Sequence, residues 1–463
     1  MTDARSFREG VDALAANDDL LDVDERVSDE DVAAVAAEAA RSNGPAVRFT
    51  ETSGVVTPVS GAFAGPEQVT QSSERPWKRI ATALGLETDA SYRRVVERVA
   101  APLAAATEPA ETDLLADPSD ADCYSLGLPP LEPGAPPAFT LGVLAFEHGD
   151  ETRWLPVRGS VRGTHRVRAV VPADSGLTSS AEVSLCLGVP GAAVTNTLLH
   201  WLDRSQTGSI RPGTKSDAVP TATHEGRVVP ATSEVLFSGR VADFEAGSEP
   251  SVDGGTAWEL AMETEVVDVS VDAVAHRESP LVPFVPLGTP LTDDVQLVGI
   301  TESARLNYRV NNYWGIEPVE WIRLPAEMSL GMCVVASEIL YAGFEWQLSN
   351  TLFAFSSLFD KILILDENTS AADLSRPLDD IWVKAHPSQD WVFSEPSAPA
   401  ATAPRYRTDG EPGSRLFINA TWDPRWDEEY IAPRVTYETS YPEEVRRTVA
   451  EMWSNLGFDS SDD

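Results

Sequence analysis

PATSEVLFSGRVADFEAGSEPSVDGG, at residues 230–255, is the stretch around which the chain is organised. Its β-branched and aromatic residues predict a short strand that Glu234 opens, a turn at Gly239 and a second strand. An acidic, glycine-rich loop follows and carries Glu245, Glu249 and Asp253. A carboxylate on such a loop can be held beside a substrate by a rigid sheet. The alternative is an exposed hairpin loop in a very acidic protein.

The composition is strongly acidic. The 463 residues hold 73 Asp plus Glu against 35 Lys plus Arg, so the formal net charge is -38. Acidic residues spread along the chain, with few lysines, predict a surface adapted to molar salt, and we expect a halophilic source. The same charge argues against binding to nucleic acid or to an anionic membrane, because no basic stripe is present to neutralise phosphates.

The cysteines and the N-terminus bear on the compartment. Cys123, Cys186 and Cys333 lie far apart and form no CxxC or Cys/His cluster, so neither a disulfide framework nor a zinc site is expected. The N-terminus lacks the apolar core of a signal peptide, and no run of about 18 apolar residues occurs. These observations predict a soluble cytoplasmic protein without membrane segments.

The hydrophobic patterning predicts an α+β protein. Ser28 is the expected N-cap of an N-terminal helix, strands follow it, and residues 77–104 are again helical. From residue 139 to about 290, short β-branched runs at close spacing predict a mostly antiparallel sheet or small barrel. Farther on, KILILDEN at 361–368 predicts a strand that delivers Asp366 to a surface.

The last predicted element is an amphipathic helix that begins at Pro442 and ends at Gly457. One of its faces carries an apolar stripe, which consists of Val445, Val449, Met452, Trp453 and Leu456. This stripe must be buried, either within its own chain or across a subunit interface, and we favour the interface.

Seven segments together resemble the UbiD family, the decarboxylases that use prenylated flavin mononucleotide (FMN). The segments are RSNGPAVRFTETSGVVTPVSGAFAG, SLCLGVPGAAV, PATSEVLFSGRV, DAVAHRESPLVPFVPLGTPLTDD, KILILDEN, LFINATWDP and SYPEEVRRTVAEMWSNLGF. Their order and spacing are similar to those of the family, and they cover nearly the full length of the chain.

The resemblance implies a cofactor domain with a split β-barrel like that of flavin reductases, a smaller α/β oligomerisation domain and a C-terminal helix that packs across subunits. We expect the N-terminal α/β part of the cofactor domain at 1–110 and the barrel at 111–300. The oligomerisation domain is expected at 301–438, and the helix with its acidic tail at 439–463. The resemblance also implies a homo-oligomer, either a dimer or a hexamer, and a flavin prenyltransferase that supplies the cofactor.

The resemblance further implies that Mn²⁺ or Mg²⁺, bound by an Asn, a His and a Glu, holds the phosphate of prenylated FMN. His165 lies where the family places its histidine; the alternative is an exposed histidine at a strand edge. Thr140 stands at the asparagine position, and Thr140 and Gly142 are expected at the cofactor. The metal-binding glutamate of the family is missing upstream of PATSEV. His200 and Asp203 are the residues there that could replace it, and Asp203 is taken as an expected metal ligand.

In the family an arginine grips the substrate carboxylate and two loop glutamates handle the proton. Ala145 stands at the arginine position, and neighbouring arginines that could replace it are Arg153, Arg158, Arg162 and Arg166. Counted from Glu234, the first loop glutamate is Glu249; the second position is Gly254, next to Asp253. A buried carboxylate with a raised pKa can donate a proton near neutrality, so Glu249 and Asp253 are the expected catalytic residues.

Two functional hypotheses remain open. The first is a decarboxylase, or reversible carboxylase, of an aromatic or α,β-unsaturated acid. The second is a catalytically degenerate relative that acts as the structural partner of an active paralogue. Ala145, Gly254 and the missing metal glutamate favour this second hypothesis. A barrel that binds ordinary flavin for electron transfer ranks third, and no GxGxxG or GxxxxGK[ST] run supports a conventional nucleotide fold.

Overall fold

The computed structural model describes residues 6–64, 75–104, 113, 117–119, 122–149, 151–202, 219–245, 263–286, 292–315, 317–372, 375–394, 398, 401, 413–422 and 437–456. The helices are α1 (Phe7–Ala16), α2 (Val32–Arg41), α3 (Lys78–Ala83), α4 (Tyr92–Ala104), α5 (Gly191–Leu202), α6 (Asp293–Trp314), α7 (Phe344–Phe355), α8 (Ser375–Lys384), α9 (Tyr437–Ser440) and α10 (Glu443–Met452). The strands are β1 (Leu20–Val23), β2 (Ala46–Phe49), β3 (Thr57–Ser60), β4 (Asp117–Ser119), β5 (Ala138–His148), β6 (Glu151–Gly163), β7 (Arg166–Pro172), β8 (Glu182–Leu187), β9 (Thr221–His224), β10 (Arg227–Pro230), β11 (Val235–Glu245), β12 (Thr264–His276), β13 (Leu281–Pro283), β14 (Val319–Arg323), β15 (Met332–Ser337), β16 (Lys361–Asp366), β17 (Trp391–Phe393) and β18 (Leu416–Ala420).

A closed barrel lies at the centre of the fold. Strands pair in the order β11-β8-β5-β6-β7-β12, and β11 also pairs with β12 to close the ring. Neighbouring strands are antiparallel. Side chains on alternate positions fill the interior, where Phe139, Val157 and Phe237 belong to one buried cluster. The predicted α+β class and the predicted small barrel are confirmed.

The predicted turn at Gly239 is wrong. Strand β11 runs without interruption from Val235 to Glu245 and starts directly after Glu234, as expected. Gly239 instead lies at a register shift against β12, and a Cβ atom built on it would lie 2.1 Å from the carbonyl oxygen of Ser270. The glycine is therefore needed for the close approach of two strands, because any side chain would collide with the neighbouring backbone.

The N-terminal layer contains a sheet with the strand order β1-β2-β3-β13. The predicted N-terminal helix is confirmed as α2, but Ser28 is not its N-cap. Asp31 occupies that position, and the carbonyl of Ser28 accepts hydrogen bonds from the backbone N–H of Asp31 (2.8 Å) and Val32 (3.2 Å). A separate turn therefore precedes the helix, which begins one turn later than the sequence pattern indicates.

Helix α6 starts with a buried carboxylate that fixes a loop of the N-terminal layer. Asp293 accepts hydrogen bonds from the backbone N–H of Gly61 (3.0 Å), Ala62 (3.1 Å), Phe63 (2.8 Å) and Ala64 (2.6 Å). Burial raises the pKa of Asp293, and these backbone donors oppose that rise. The loop thus joins the first helix after the barrel to the layer before it.

The C-terminal part contains a sheet with the strand order β14-β15-β16-β18-β17, in which β15, β16 and β18 are parallel. The predicted strand KILILDEN is confirmed as β16. Its last residue, Asp366, pairs with buried Lys384, which also lies 3.1 Å from Asp380 and over the ring of Trp422. Helix α6 runs through residue 300, the position of the domain boundary predicted from the sequence.

The C-terminal helix is confirmed as α10, with different ends: Pro442 is its N-cap and not its first helical residue, and the helix ends at Met452, before Gly457. Its apolar stripe is not buried in the single chain: Val445 is 45% exposed and Trp453 is 37% exposed. Docking of this stripe on another subunit stays a prediction.

Two further observations concern membrane-spanning helices and the cysteines. No helix within the described ranges is sufficiently long and apolar to span a bilayer. Cys123, Cys186 and Cys333 are buried free thiols.

Candidate cofactor site

A bulge between β5 and β6 fixes the position of Thr140. The register shifts between Phe139 and Gly142, so that Thr140 and Leu141 lie opposite Arg158 alone. Two residues of one strand therefore face a single residue of its partner, and the buried side chains of Thr140 and Arg158 come from opposed backbone positions.

The two residues expected at the cofactor have different surroundings. The hydroxyl of Thr140 accepts a hydrogen bond from the backbone N–H of Val285 (2.9 Å) and keeps its own proton for another acceptor. A Cβ atom built on Gly142 would lie 2.9 Å from Cδ2 of Leu187 and 3.2 Å from Cγ1 of Val157. Gly142 thus serves the packing of the barrel, and its contact with a cofactor stays a prediction.

Arg158 and Ser160 share the outer face of β6. They alternate with Val157 and Val161, which belong to the interior cluster of the barrel. Both polar side chains are buried, and the hydroxyl of Ser160 has no hydrogen-bond partner in the described part of the chain. Since buried polar groups in proteins are normally paired, this hydroxyl indicates a ligand or water position.

Helix α5 packs against both β5 and β6. The indole N–H of Trp201 donates to the carbonyl of Trp154 on β6 (2.9 Å), which anchors the end of the helix. Near the middle of α5, Asn196 is 2% exposed, and neither polar atom of its amide finds a partner among the described residues. A second unpaired polar group therefore lies in the helix that covers these strands.

The hairpin β9–β10 places an unexpected arginine on the outer face of the barrel. Arg227 is 1% exposed; its guanidinium donates to Ser184 (2.9 Å), Glu182 (3.2 Å) and Glu225 (2.5 Å). Ser184 pairs directly with Ala145, so Arg227 lies close to the position where the resemblance implies the substrate-binding arginine. Sequence reasoning missed Arg227, because only the folding of the hairpin onto β8 brings it there.

The four arginines named from the sequence are placed differently from one another. Arg153 donates to a backbone carbonyl 3.1 Å away, Arg162 is exposed, and Arg166 pairs with Asp268. Only Arg158 has a buried side chain. Of this group, Arg158 alone therefore has its charged side chain inside the protein.

Glu234 lies at the centre of a buried ionic cluster. The residue is 0% exposed, and its carboxylate accepts hydrogen bonds from Arg8 (2.5 Å), Arg277 (3.0 Å) and the backbone N–H of Leu281 (3.1 Å). A Cβ atom on Gly188 would lie 2.6 Å from the Glu234 side chain. The motifs SLCLGVPG and PATSEV thus meet at this carboxylate.

The remaining predicted site residues are only partly described. His165 lies exposed in the turn between β6 and β7, where its carbonyl accepts a hydrogen bond from Val271 (2.9 Å). No hydrogen bond joins His165 to Thr140 in the described chain. The other expected residues, Asp203, Glu249 and Asp253, lie outside the described residues.

The groups beside Thr140 suit an anion. Within the ranges given above, no three His, Cys, Asp or Glu side chains come together as metal ligands. The buried groups are the guanidinium of Arg158 and the hydroxyls of Thr140 and Ser160, which suit phosphate oxygens. They do not fit Mn²⁺ or Mg²⁺, whose shells require several oxygen or imidazole ligands. The chemistry of these groups suits the oxygens of a flavin phosphate and does not suit a divalent metal.

Comparisons with known proteins support the resemblance to the UbiD family. The family model of the 3-octaprenyl-4-hydroxybenzoate carboxy-lyase N-terminal domain matches residues 11–99, and that of the C-terminal domain matches residues 295–420. A pyrrole-2-carboxylic acid decarboxylase from Pseudomonas aeruginosa is 23% identical over 301 residues. That match spans 59% of this chain and 58% of the relative, so little more than half of the relative's length is matched.

Two solved structures share the fold over nearly the whole length. Vanillic acid decarboxylase from Sedimentibacter hydroxybenzoicus, in open form, has a TM-score of 0.73 and 17% identity, with 99% of this chain and 100% of that chain covered. An evolved dimeric form of the UbiD-class enzyme HmfF from Pelotomaculum thermopropionicum, in complex with prFMN, has a TM-score of 0.69 and 17% identity, with 96% and 100% covered. With both terminal domains matched in order around a closed barrel, the chain belongs to the UbiD family.

Proposed function

We propose that this protein is a UbiD-like non-oxidative decarboxylase, or reversible carboxylase, of an aromatic or α,β-unsaturated carboxylic acid, with prenylated FMN as its cofactor. The observation that carries the proposal is the ordered match of the N- and C-terminal UbiD domains on either side of the closed barrel. The pyrrole-2-carboxylic acid decarboxylase and the prFMN-bound enzyme support the substrate class and the cofactor.

In this proposal the chain binds the cofactor, orients the substrate and returns a proton to the substrate. The prenylated flavin, when bound, supplies the electron-accepting carbon framework that allows carbon dioxide to leave. The outer face of β5 and β6 holds the phosphate end, Glu249 returns a proton to the substrate carbon, and Asp253 serves as the second loop carboxylate. From the resemblance, His165 and Asp203 are the residues to test as ligands of Mn²⁺ or Mg²⁺.

Co-expression with a flavin prenyltransferase tests the cofactor and the reaction together. We expect the purified protein to show flavin absorption and to release carbon dioxide from at least one of pyrrole-2-carboxylate, vanillate and 3,4-dihydroxybenzoate. Carbon dioxide release is measured with carboxyl-labelled acids, and metal content is measured on the same sample. A flavin-free protein that leaves all three acids intact would contradict the proposal.

The role of Glu249 is tested by Glu249→Gln, with Glu245→Gln as the matched control from the same acidic stretch. The amide cannot return a proton, so we expect deuterium exchange at the substrate carbon to fall by at least about 100-fold, at the lower end of general acid catalysis. Flavin content should not change in either variant. Equal exchange rates in Glu249→Gln and the wild type would remove Glu249 from the mechanism.

A second candidate, a degenerate subunit that partners an active paralogue, is favoured by one observation. Ala145 has no charge to offer a substrate carboxylate, and neighbouring Arg227 is already engaged by Ser184, Glu182 and Glu225. Such a subunit should be inactive alone and should raise the activity of the paralogue when the two are co-expressed. A homo-oligomer that decarboxylates by itself would exclude this role.

We further propose a homo-oligomer joined through α10, in a cytoplasm of high salt. Light scattering tests the homo-oligomer by measuring the molar mass in solution. Val449→Asp, on the apolar stripe of α10, is the variant expected to disrupt it. A monomeric wild type would contradict it.

A further inference from the structure

The outer face of β5 and β6 carries a buried cation where the family is expected to bind a metal. Thr140, which stands at the position of a metal-binding asparagine, lies opposite Arg158 in the bulge. Both side chains are buried. The side chain of Arg158 thus gives this face of the barrel a permanent positive charge.

A donor lies next to that charge. Ser160 follows Arg158 by two residues on the same strand, so the two side chains leave the same face about 7 Å apart at their backbones. The Ser160 hydroxyl is unpaired in the described part of the chain, and the Thr140 hydroxyl keeps a proton to donate. One phosphate group can bridge such a spacing, since its oxygens accept from several donors at once.

The chemistry of these groups separates two modes of binding. A guanidinium repels a divalent cation, and neutral hydroxyls are weak ligands for one. The same guanidinium offers paired N–H donors that match phosphate oxygens, with bonds that are about twice as strong as neutral ones. The donor set therefore favours an anion bound directly over an anion bound through a metal.

We propose that Arg158, with the hydroxyls of Thr140 and Ser160, holds the flavin phosphate directly and takes over the role that a divalent metal has in the family. This inference rests on the proposed function, because it presumes that the chain binds a flavin. It predicts that flavin binding depends on the phosphate and is independent of Mn²⁺ and Mg²⁺.

The test compares FMN with riboflavin, which lacks the phosphate, by quenching of flavin fluorescence on the full-length apoprotein. Wild-type protein should bind FMN at least about 30-fold more tightly than riboflavin, a factor that one or two charge-assisted hydrogen bonds supply. EDTA, MgCl₂ or MnCl₂ should change the FMN affinity less than about twofold. Arg158→Met should lower FMN affinity by about 10-fold to 100-fold and leave riboflavin affinity unchanged.

Arg162→Met is the matched control, because Arg162 lies on the same strand with an exposed side chain. It should preserve the preference for FMN. Arg158→Lys, which keeps the charge, should restore part of the preference that Arg158→Met loses, and circular dichroism checks that each variant is folded. Ser160→Ala should weaken FMN binding by a smaller factor, about 3-fold to 10-fold.

The outcomes distinguish this inference from the proposed function. Loss of FMN binding in EDTA with recovery in MnCl₂ would show that a metal holds the phosphate and would overturn the inference alone. Equal loss of FMN and riboflavin in Arg158→Met would also overturn it, since Arg158 would then only support the barrel. A wild-type chain that binds neither flavin under any of these conditions would overturn both proposals.

Discussion

Glu234 joins segments that are far apart in the sequence. Its buried carboxylate receives Arg8 from α1, Arg277 from the end of β12 and the backbone of Leu281. The two arginines are about a quarter exposed, whereas the carboxylate is fully buried. A buried carboxylate must be paired, so this cluster stabilises the contact between the N-terminal helix and the barrel.

Replacement of Glu234 by Gln tests that role. The amide keeps the shape but loses the charge that faces Arg8 and Arg277, and we expect the free energy of unfolding to fall by about 3 kcal/mol. Urea denaturation at fixed salt measures it. Glu278→Gln, at an exposed site beside the cluster, should cost less than about 0.5 kcal/mol. Similar losses in both variants would show that the buried charge has no special role.

Asp268 provides a prediction about pH. Burial alone would raise its pKa, but the hydrogen bonds from Arg168 and Arg166 outweigh burial, and the pKa lies below its usual value. The stabilisation is therefore complete above the ordinary Asp pKa of about 3.9 and is lost as the pH falls through the lower pKa of the folded state.

Asp268→Asn should lower the free energy of unfolding at pH 7 by about 2 kcal/mol, the worth of a hydrogen bond to a charged group. The difference from the wild type should shrink as the pH falls below about 4, where the wild-type carboxylate also becomes protonated. Urea denaturation at several pH values measures this difference. Asp272→Asn, at an exposed ion pair with Arg240, should have little effect at any pH.

At the scale of elements, β11 shows why a long strand needs a glycine. A Cβ atom on Gly239 would lie 2.1 Å from the carbonyl of Ser270, so Gly239→Ala must push β11 away from β12. We expect a loss of about 3 kcal/mol in the free energy of unfolding, at the upper end for overpacking. In Gly163→Ala the new methyl would have its nearest neighbour at 3.6 Å, and little change is expected. Equal thermal midpoints for both variants would refute the close approach.

Local patterns in the sequence predict most of these elements, and the contacts between them follow only from the fold. Strand β16 and helices α2 and α10 are recognisable from apolar spacing, because burial of one face is a local property. The bulge that sets Thr140 opposite Arg158 depends on the register of two strands, which no single strand specifies. Arg227 reaches Ser184 only through the packing of a separate hairpin, so its position near Ala145 had no local signal. The turn assigned to Gly239 failed because a glycine in a strand can mark either a turn or a close approach.

At the scale of the whole molecule, the negative net charge makes the stability of the fold depend on the salt concentration. A net charge of -38 on 463 residues creates mutual repulsion over the surface that the compact state must overcome. Many of the acidic side chains are exposed and carry no arginine partner in the described structure, for example Glu87, Asp89 and Glu132. Salt screens such exposed charges, since the Debye length falls from about 10 Å at 0.1 M to about 3 Å at 1 M.

We therefore expect the thermal midpoint to rise by about 10 °C or more between 0.1 M and 2 M KCl, with most of the rise below 1 M, where screening changes most steeply. Differential scanning fluorimetry measures the midpoint. A variant with neutral amides at Glu87, Asp89, Glu132, Glu443 and Glu444 should start from a higher midpoint at 0.1 M and gain less from added salt. If that variant gained as much from KCl as the wild type, salt would act through the hydrophobic core or through a specific ion site, and repulsion between surface carboxylates would not limit stability at low salt.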